Sequence, residues 1–122
     1  MDLMKFCLSA LSAMCLMAPV YASDTRLEEY VASFDYAARQ DMKIDSKELI
    51  ELLKKDQAQL VDIRFIEEHN AWKAVPSINI PINELPNKLS SMDKTKTIVT
   101  ACPHKDRAII AMVYLRSKGF KA

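Results

Sequence analysis

The β-branched run Thr97-Ile98-Val99-Thr100-Ala101 ends on Cys102, crosses a short charged stretch and enters an amphipathic segment. From Arg107 to Lys118 the positions Ala108, Ile109, Met112, Val113 and Leu115 recur at helical spacing. Gly119 then supplies a left-handed cap and Phe120 its apolar contact. A run of this kind reads as a strand buried on both faces, and a buried strand feeding a helix belongs to an α/β fold with a mainly parallel sheet.

The preceding residues repeat that step. Met42 to Ile44 predicts a short strand, Asp45 or Ser46 an N-cap, and Leu49, Ile50, Leu52 and Leu53 the apolar face of a helix ending near Lys55. Gln59 to Ile63 reads as a strand, Glu67 to Lys73 as partly helical, and Ser77 to Pro81 as another strand. Glu84 to Met92, behind Asn83, predicts a short helix. Ahead of all this, Leu27, Tyr30, Val31, Phe34 and Ala38 are spaced for one amphipathic helix over Thr25 to Gln40, packing across the core. The expected organisation is a signal segment over 1–22, a helical extension over 23–41 and one domain over 42–122.

The signal reading rests on Lys5, the uncharged stretch Phe6 to Pro19, and Val20-Tyr21-Ala22 before polar Ser23-Asp24. About 14 apolar residues are too few for a membrane-spanning helix, which needs about 20. Cleavage after Ala22 predicts an exported protein, periplasmic in a bacterium, with no stable membrane insertion afterwards. Met14 before Cys15 argues against a lipid-modified N-terminus. Cys7 and Cys15 leave with this segment, so the mature chain keeps Cys102 as its one thiol and forms no internal disulfide.

Charge and glycine content exclude whole classes of function. Seventeen basic and sixteen acidic residues are mixed along 122 positions for a net charge of +1, which offers no field for nucleic acid. A single glycine rules out glycine-rich nucleotide cradles. Two histidines and the mature chain's one cysteine, with His69 far from Cys102 and His104, show no paired ligand spacing, so no metal and no cofactor are expected. Anion recognition must be local, and Cys102 is where it falls. At the carboxyl end of a strand, Pro103, His104, Lys105, Asp106 and Arg107 form a loop whose backbone N–H groups can point at an anion beside the sulfur. The helix N-terminus, Lys105 and Arg107 would favour the reactive thiolate.

Asp62-Ile63-Arg64, then Glu68, then Ile78-Asn79-Ile80-Pro81, then Cys-x-x-x-x-Arg and the closing Gly119-Phe120 together resemble the rhodanese family in order and spacing, over about Met42 to Ala122. The resemblance implies a three-layer α/β fold around a mainly parallel sheet. It also implies a sulfurtransferase in which Cys102 takes sulfane sulfur from a small anionic donor such as thiosulfate, becomes a persulfide, and passes the sulfur to cyanide, a thiol or a protein acceptor. By position, Arg107 closes the loop, His104 and Lys105 line its rim, and Asp62, Arg64 and Glu68 support it.

Three departures stand out. Trp72-Lys73-Ala74-Val75-Pro76 replaces the family's Gly-His-Ile-Pro-Gly turn. Lys105 or Asp106 replaces the loop glycine, which predicts either one strained backbone position or a loop more open than usual. The family pattern also runs on into one more strand and a helix where this sequence stops at Ala122; either the sequence is truncated or a partner fills the gap. A phosphatase or arsenate reductase reading is disfavoured because four residues, not five, separate Cys102 from Arg107. A non-catalytic binding or redox-sensing module is the alternative of a different class.

Overall fold

The computed structural model describes residues 26–122. The signal reading of residues 1–22 lies outside the described residues. Among the described residues ten short elements follow in order, and the three strands among them form one parallel sheet in the order β2-β1-β3. The strands are β1 (Ala58–Asp62), β2 (Ser77–Asn79) and β3 (Thr97–Ala101). Leu60 to Asp62 register with Ser77 to Asn79 on one side, and Ala58 to Asp62 with Thr97 to Ala101 on the other.

The sequence places the doubly buried strand at Thr97 to Ala101; the structure puts it at β1. In β1 Ala58, Leu60, Val61 and Asp62 are all buried, whereas β3 buries only Ile98. Branched side chains favour strands at centre and edge alike, so composition does not distinguish the two places. The outer edge of β3 is met at Ile98, whose N–H donates to the Lys121 carbonyl at 2.7 Å.

The helices are α1 (Leu27–Ala32), α2 (Tyr36–Gln40), α3 (Ser46–Lys54), α4 (Ile66–Ala71) and α5 (Asp106–Ser117). Successive residues of β1 face opposite sides of the sheet. Val61, together with Ile63 just beyond the strand, joins Ile98 and the α5 residues Ala111 and Leu115 in the main core cluster; Ile80, Leu85, Met92 and Phe120 complete it. Ala58 and Leu60 present the other face, and α3 packs against β1. Asp45 caps α3 by accepting the Glu48 N–H at 2.8 Å. Helices and a parallel sheet thus make the expected layered α/β architecture.

Three predicted elements take a different form. The single helix over 25–40 is broken at Ser33–Asp35, because Asp35 starts a new helix by accepting the Ala38 N–H at 2.8 Å. Neither α1 nor α2 buries a residue; Leu27 and Val31 stay exposed, and the pair is held to α5 through Arg116, which bonds the Ala38 and Asp41 carbonyls. Met42 to Ile44 is not a strand: three residues running into a helix cap find no neighbouring ladder. Glu84 to Met92 forms two 3₁₀ turns, Leu85–Asn87 and Leu89–Ser91, around Pro86. Ile50, expected on the apolar face of α3, is exposed.

The end of α5 follows its sequence signal. Gly119 has φ +82°, its N–H donates to the Arg116 carbonyl and that of Phe120 to the Leu115 carbonyl, each at 3.0 Å. This is the paired Schellman pattern, with Phe120 and Leu115 both in the core. A Cβ on Gly119 would meet nothing within 4 Å, so substitution tests the backbone alone. Gly119→Ala should lower stability by about 1 kcal/mol in urea unfolding. An unchanged midpoint would mean that the left-handed cap is not maintained in solution.

Candidate active site

The site is assembled from the end of β1 outward. Asp62 closes β1 with 1% of its surface exposed, and Arg64 two residues on has 2%. Burying a carboxylate and a guanidinium is tolerable only when each is fully partnered. Arg64 Nη2 reaches Asp62 Oδ2 at 2.5 Å and Nε reaches the same carboxylate at 2.9 and 3.0 Å. Its remaining donors go to the carbonyls of Glu68 at 3.2 Å and Trp72 at 2.8 Å. Asn79, at the end of β2, donates to the carbonyls of Asp62 and Arg64 at 2.9 Å each. His69 Nδ1 lies 2.9 Å from Asp62 Oδ2. The end of β1 and, through His69 and the Arg64 bond to the Glu68 carbonyl, α4 are therefore tied to the Asp62–Arg64 pair, and the end of β2 is tied to the backbone carbonyls of the same two residues. Burial alone would raise the Asp62 pKa, but the hydrogen bonds from Arg64 and His69 outweigh it and bring it to about 2.

Glu68 carries this framework to the cysteine loop. Third in α4, it accepts the Phe65 N–H at 3.1 Å, which fixes the start of the helix. Both its oxygens then take Arg107, at 2.7 Å to Nη1 and 2.7 Å to Nη2. That paired contact with Arg107 holds the Glu68 carboxyl down at about 2 and raises the Arg107 pKa. The Arg107 guanidinium also sits 5.9 Å from the Phe65 ring centre.

Cys102 follows the last residue of β3 and packs against the core cluster, partly exposed. Among the described residues it is the free cysteine. Its Sγ accepts the Ala108 N–H at 3.3 Å, and Thr100 Oγ1 donates to the Ala108 carbonyl at 2.9 Å, so the first turn of α5 is pinned to β3 through one residue. Lys105, not Asp106, takes the loop glycine's place: it has φ +68° and ψ −22°, the left-handed conformation.

The structure alters the electrostatic reading in two respects. Arg107 was expected to favour the thiolate, yet both its terminal nitrogens are engaged by Glu68. Asp106 was grouped with the anion-binding loop, yet its Oδ1 accepts the thiol hydrogen, with Sγ 3.7 Å away, and also takes the Arg107 N–H at 2.8 Å. One backbone donor expected for a bound anion is therefore occupied by a carboxylate. Pro103, His104 and Lys105 lie on the exposed rim. Trp72 packs by stacking its exposed ring 4.0 Å from the Arg64 guanidinium, in a turn that contains a cis Val75–Pro76 peptide. Glu68 with Arg107 and His69 with Asp62 are contacts that the residue order could not pair.

Since the Asp62 pKa is depressed in the folded chain, its contribution is present above pH 4 and is lost as pH falls towards 2. Urea midpoints should reveal about 2 kcal/mol lost over that window from this group. Asp62→Asn should lack that component and, by stranding Arg64, cost about 3 to 5 kcal/mol at pH 7. Equal stability of variant and parent at pH 7 would refute the buried pair as a structural anchor. Lys105→Gly should instead raise stability by about 1 kcal/mol, and a loss would show that Lys105 supplies something beyond its backbone angle.

A family model described as Rhodanese-like domain matches residues 45–122. The chain is also similar to a solved rhodanese-related protein of Thermoplasma volcanium, at 29% identity and TM-score 0.58 over 65% of this chain and 77% of that one. A rhodanese-like domain protein of Staphylococcus aureus matches at 27% identity and TM-score 0.56, over 62% of this chain and 76% of that one. A single-domain sulfurtransferase of Saccharomyces cerevisiae matches at 26% identity and TM-score 0.52, over 62% and 73%. No curated protein matches the chain.

Proposed function

Since the chain belongs to the Rhodanese-like domain family, we propose that it is a sulfurtransferase that carries sulfane sulfur as a persulfide on Cys102. The supporting observation is the position of Sγ: at the carboxyl end of β3, accepting the Ala108 N–H at 3.3 Å in the first turn of a twelve-residue helix. A helix N-terminus favours negative charge, so it stabilises the attacking thiolate and then the anionic persulfide. The Cys102 thiolate attacks the outer sulfur of the donor, forming one S–S bond as the donor's own bond to that sulfur breaks. From thiosulfate the leaving group is sulfite; from a thiol persulfide it is the thiolate. An acceptor, either cyanide or a thiol, then takes the sulfur and regenerates the Cys102 thiolate.

Pro103, His104, Lys105, Asp106 and Arg107 would surround the transferred sulfur, with Asp62, Arg64 and Glu68 as the supporting frame. Glu68 positions Arg107 and thereby the start of α5. We place the reaction outside the cytoplasm, on the reading of residues 1–22 as an export signal.

The test uses the full chain, incubated separately with thiosulfate and with cysteamine persulfide and then analysed by mass spectrometry of the Cys102 peptide. A gain of about 32 mass units, discharged by cyanide and absent from Cys102→Ser, is the expected result. A folded chain that gains no sulfur from either donor is not a sulfurtransferase, and the binding or redox-sensing module becomes its function.

A further inference from the structure

The side-chain charge hydrogen-bonded to the Cys102 sulfur is negative. Asp106 Oδ1 lies 3.7 Å from Sγ and is held there by the Arg107 N–H at 2.8 Å. That N–H contact keeps the Asp106 carboxyl below its usual range, so it is ionised at neutral pH. Of the loop's two cations, Arg107 is paired through both terminal nitrogens with the Glu68 carboxylate at 2.7 Å, and Lys105 lies exposed on the rim. A thiosulfate dianion approaching Sγ is therefore repelled by a fixed carboxylate, whereas a neutral donor is not repelled and a cationic one is attracted.

Building on the sulfur-transfer reading above, we propose that Asp106 is a specificity-determining residue that selects sulfur donors by charge. It disfavours small dianions and favours sulfane sulfur borne on a neutral or cationic thiol carrier. The favoured step is Cys–S⁻ + R–S–SH → Cys–S–SH + R–S⁻. The new S–S bond replaces the old one, the proton stays with the transferred sulfur, and no external oxidant or reductant enters.

Asp106→Asn keeps the side-chain oxygen for the Arg107 N–H and removes only the charge. The first measurement is alkylation of Cys102 in the full chain by iodoacetate and by iodoacetamide, read at the Cys102 peptide by mass spectrometry. Any change in thiolate fraction scales both rates equally, so their ratio isolates the charge effect. The variant should raise the iodoacetate-to-iodoacetamide ratio about fivefold at low salt, as expected for one unit charge about 4 Å away in water. The gain should shrink towards unity at about 1 M salt, where the screening length falls to about 3 Å. The ratio of sulfur loading from thiosulfate to loading from cysteamine persulfide should rise more, on the order of a hundredfold: roughly twenty-five-fold from the dianion and about fivefold from the lost attraction of the cysteamine ammonium. An unchanged iodoacetate ratio overturns the proposal, leaving Asp106 as a helix-start residue that only holds the thiol hydrogen. A raised ratio with no loading from either donor upholds the charge filter and defeats the sulfur-transfer reading instead.

Discussion

The buried Asp62 carboxylate is the fixed point from which the cysteine site is built. A charge with 1% exposure has to be surrounded by donors, and Arg64 and His69 supply them. Each of those donors belongs to the segment that leaves β1, so satisfying the charge also decides where that segment goes. Arg64 then spends its remaining N–H groups on the carbonyls of Glu68 and Trp72, and Asn79 closes the other side from β2. A buried ion pair is a poor source of net stability, but breaking one is costly, and that asymmetry makes it a good specifier of geometry here.

What is specified is the position of Glu68. With α4 anchored beneath it, the Glu68 carboxylate faces α5 and holds Arg107 with both oxygens. The start of α5 is held a second time from β3, by Thr100 on the Ala108 carbonyl. Between these two ties lies a loop too short to relax by lengthening, and Lys105 takes up the turn in a left-handed conformation that glycine would adopt at less cost. Cys102 Sγ receives the Ala108 N–H because the first turn of α5 is held from both sides.

Those parts of this arrangement that depend on neighbours in the chain were legible. The strand ending at Cys102, the helix closing at Gly119 and an N-cap at Asp45 or Ser46 follow from local rules, and a strained residue at Lys105 or Asp106 follows from the family's loop glycine. Asp35 carries the same capping signal as Asp45, and reading it would have split the helix over 25–40. Contacts set by tertiary placement were not legible. Glu68 and Arg107 are 39 positions apart, and Val61 and Ile98 differ little in character although one strand is central and the other lies at the edge.

The electrostatics of the cysteine illustrate the same boundary. Counting residues from Cys102 to Arg107 finds two cations and one carboxylate, which points to a cationic cradle. The folded loop reverses the balance close to the sulfur. Arg107 is matched by a carboxylate from another helix, Lys105 lies on the exposed rim, and Asp106 is brought against Sγ. Coulomb interactions fall with distance and with solvent exposure, so the side chain touching the sulfur outweighs the more numerous charges around it. The helix N-terminus remains the stabilising element for a sulfur anion, since the Ala108 N–H points at Sγ whatever the side chains do. In the proposed sulfur-transfer role, a Cys102 thiolate supported by the backbone dipole and flanked by the Asp106 carboxylate is suited to sulfur that arrives with little charge of its own.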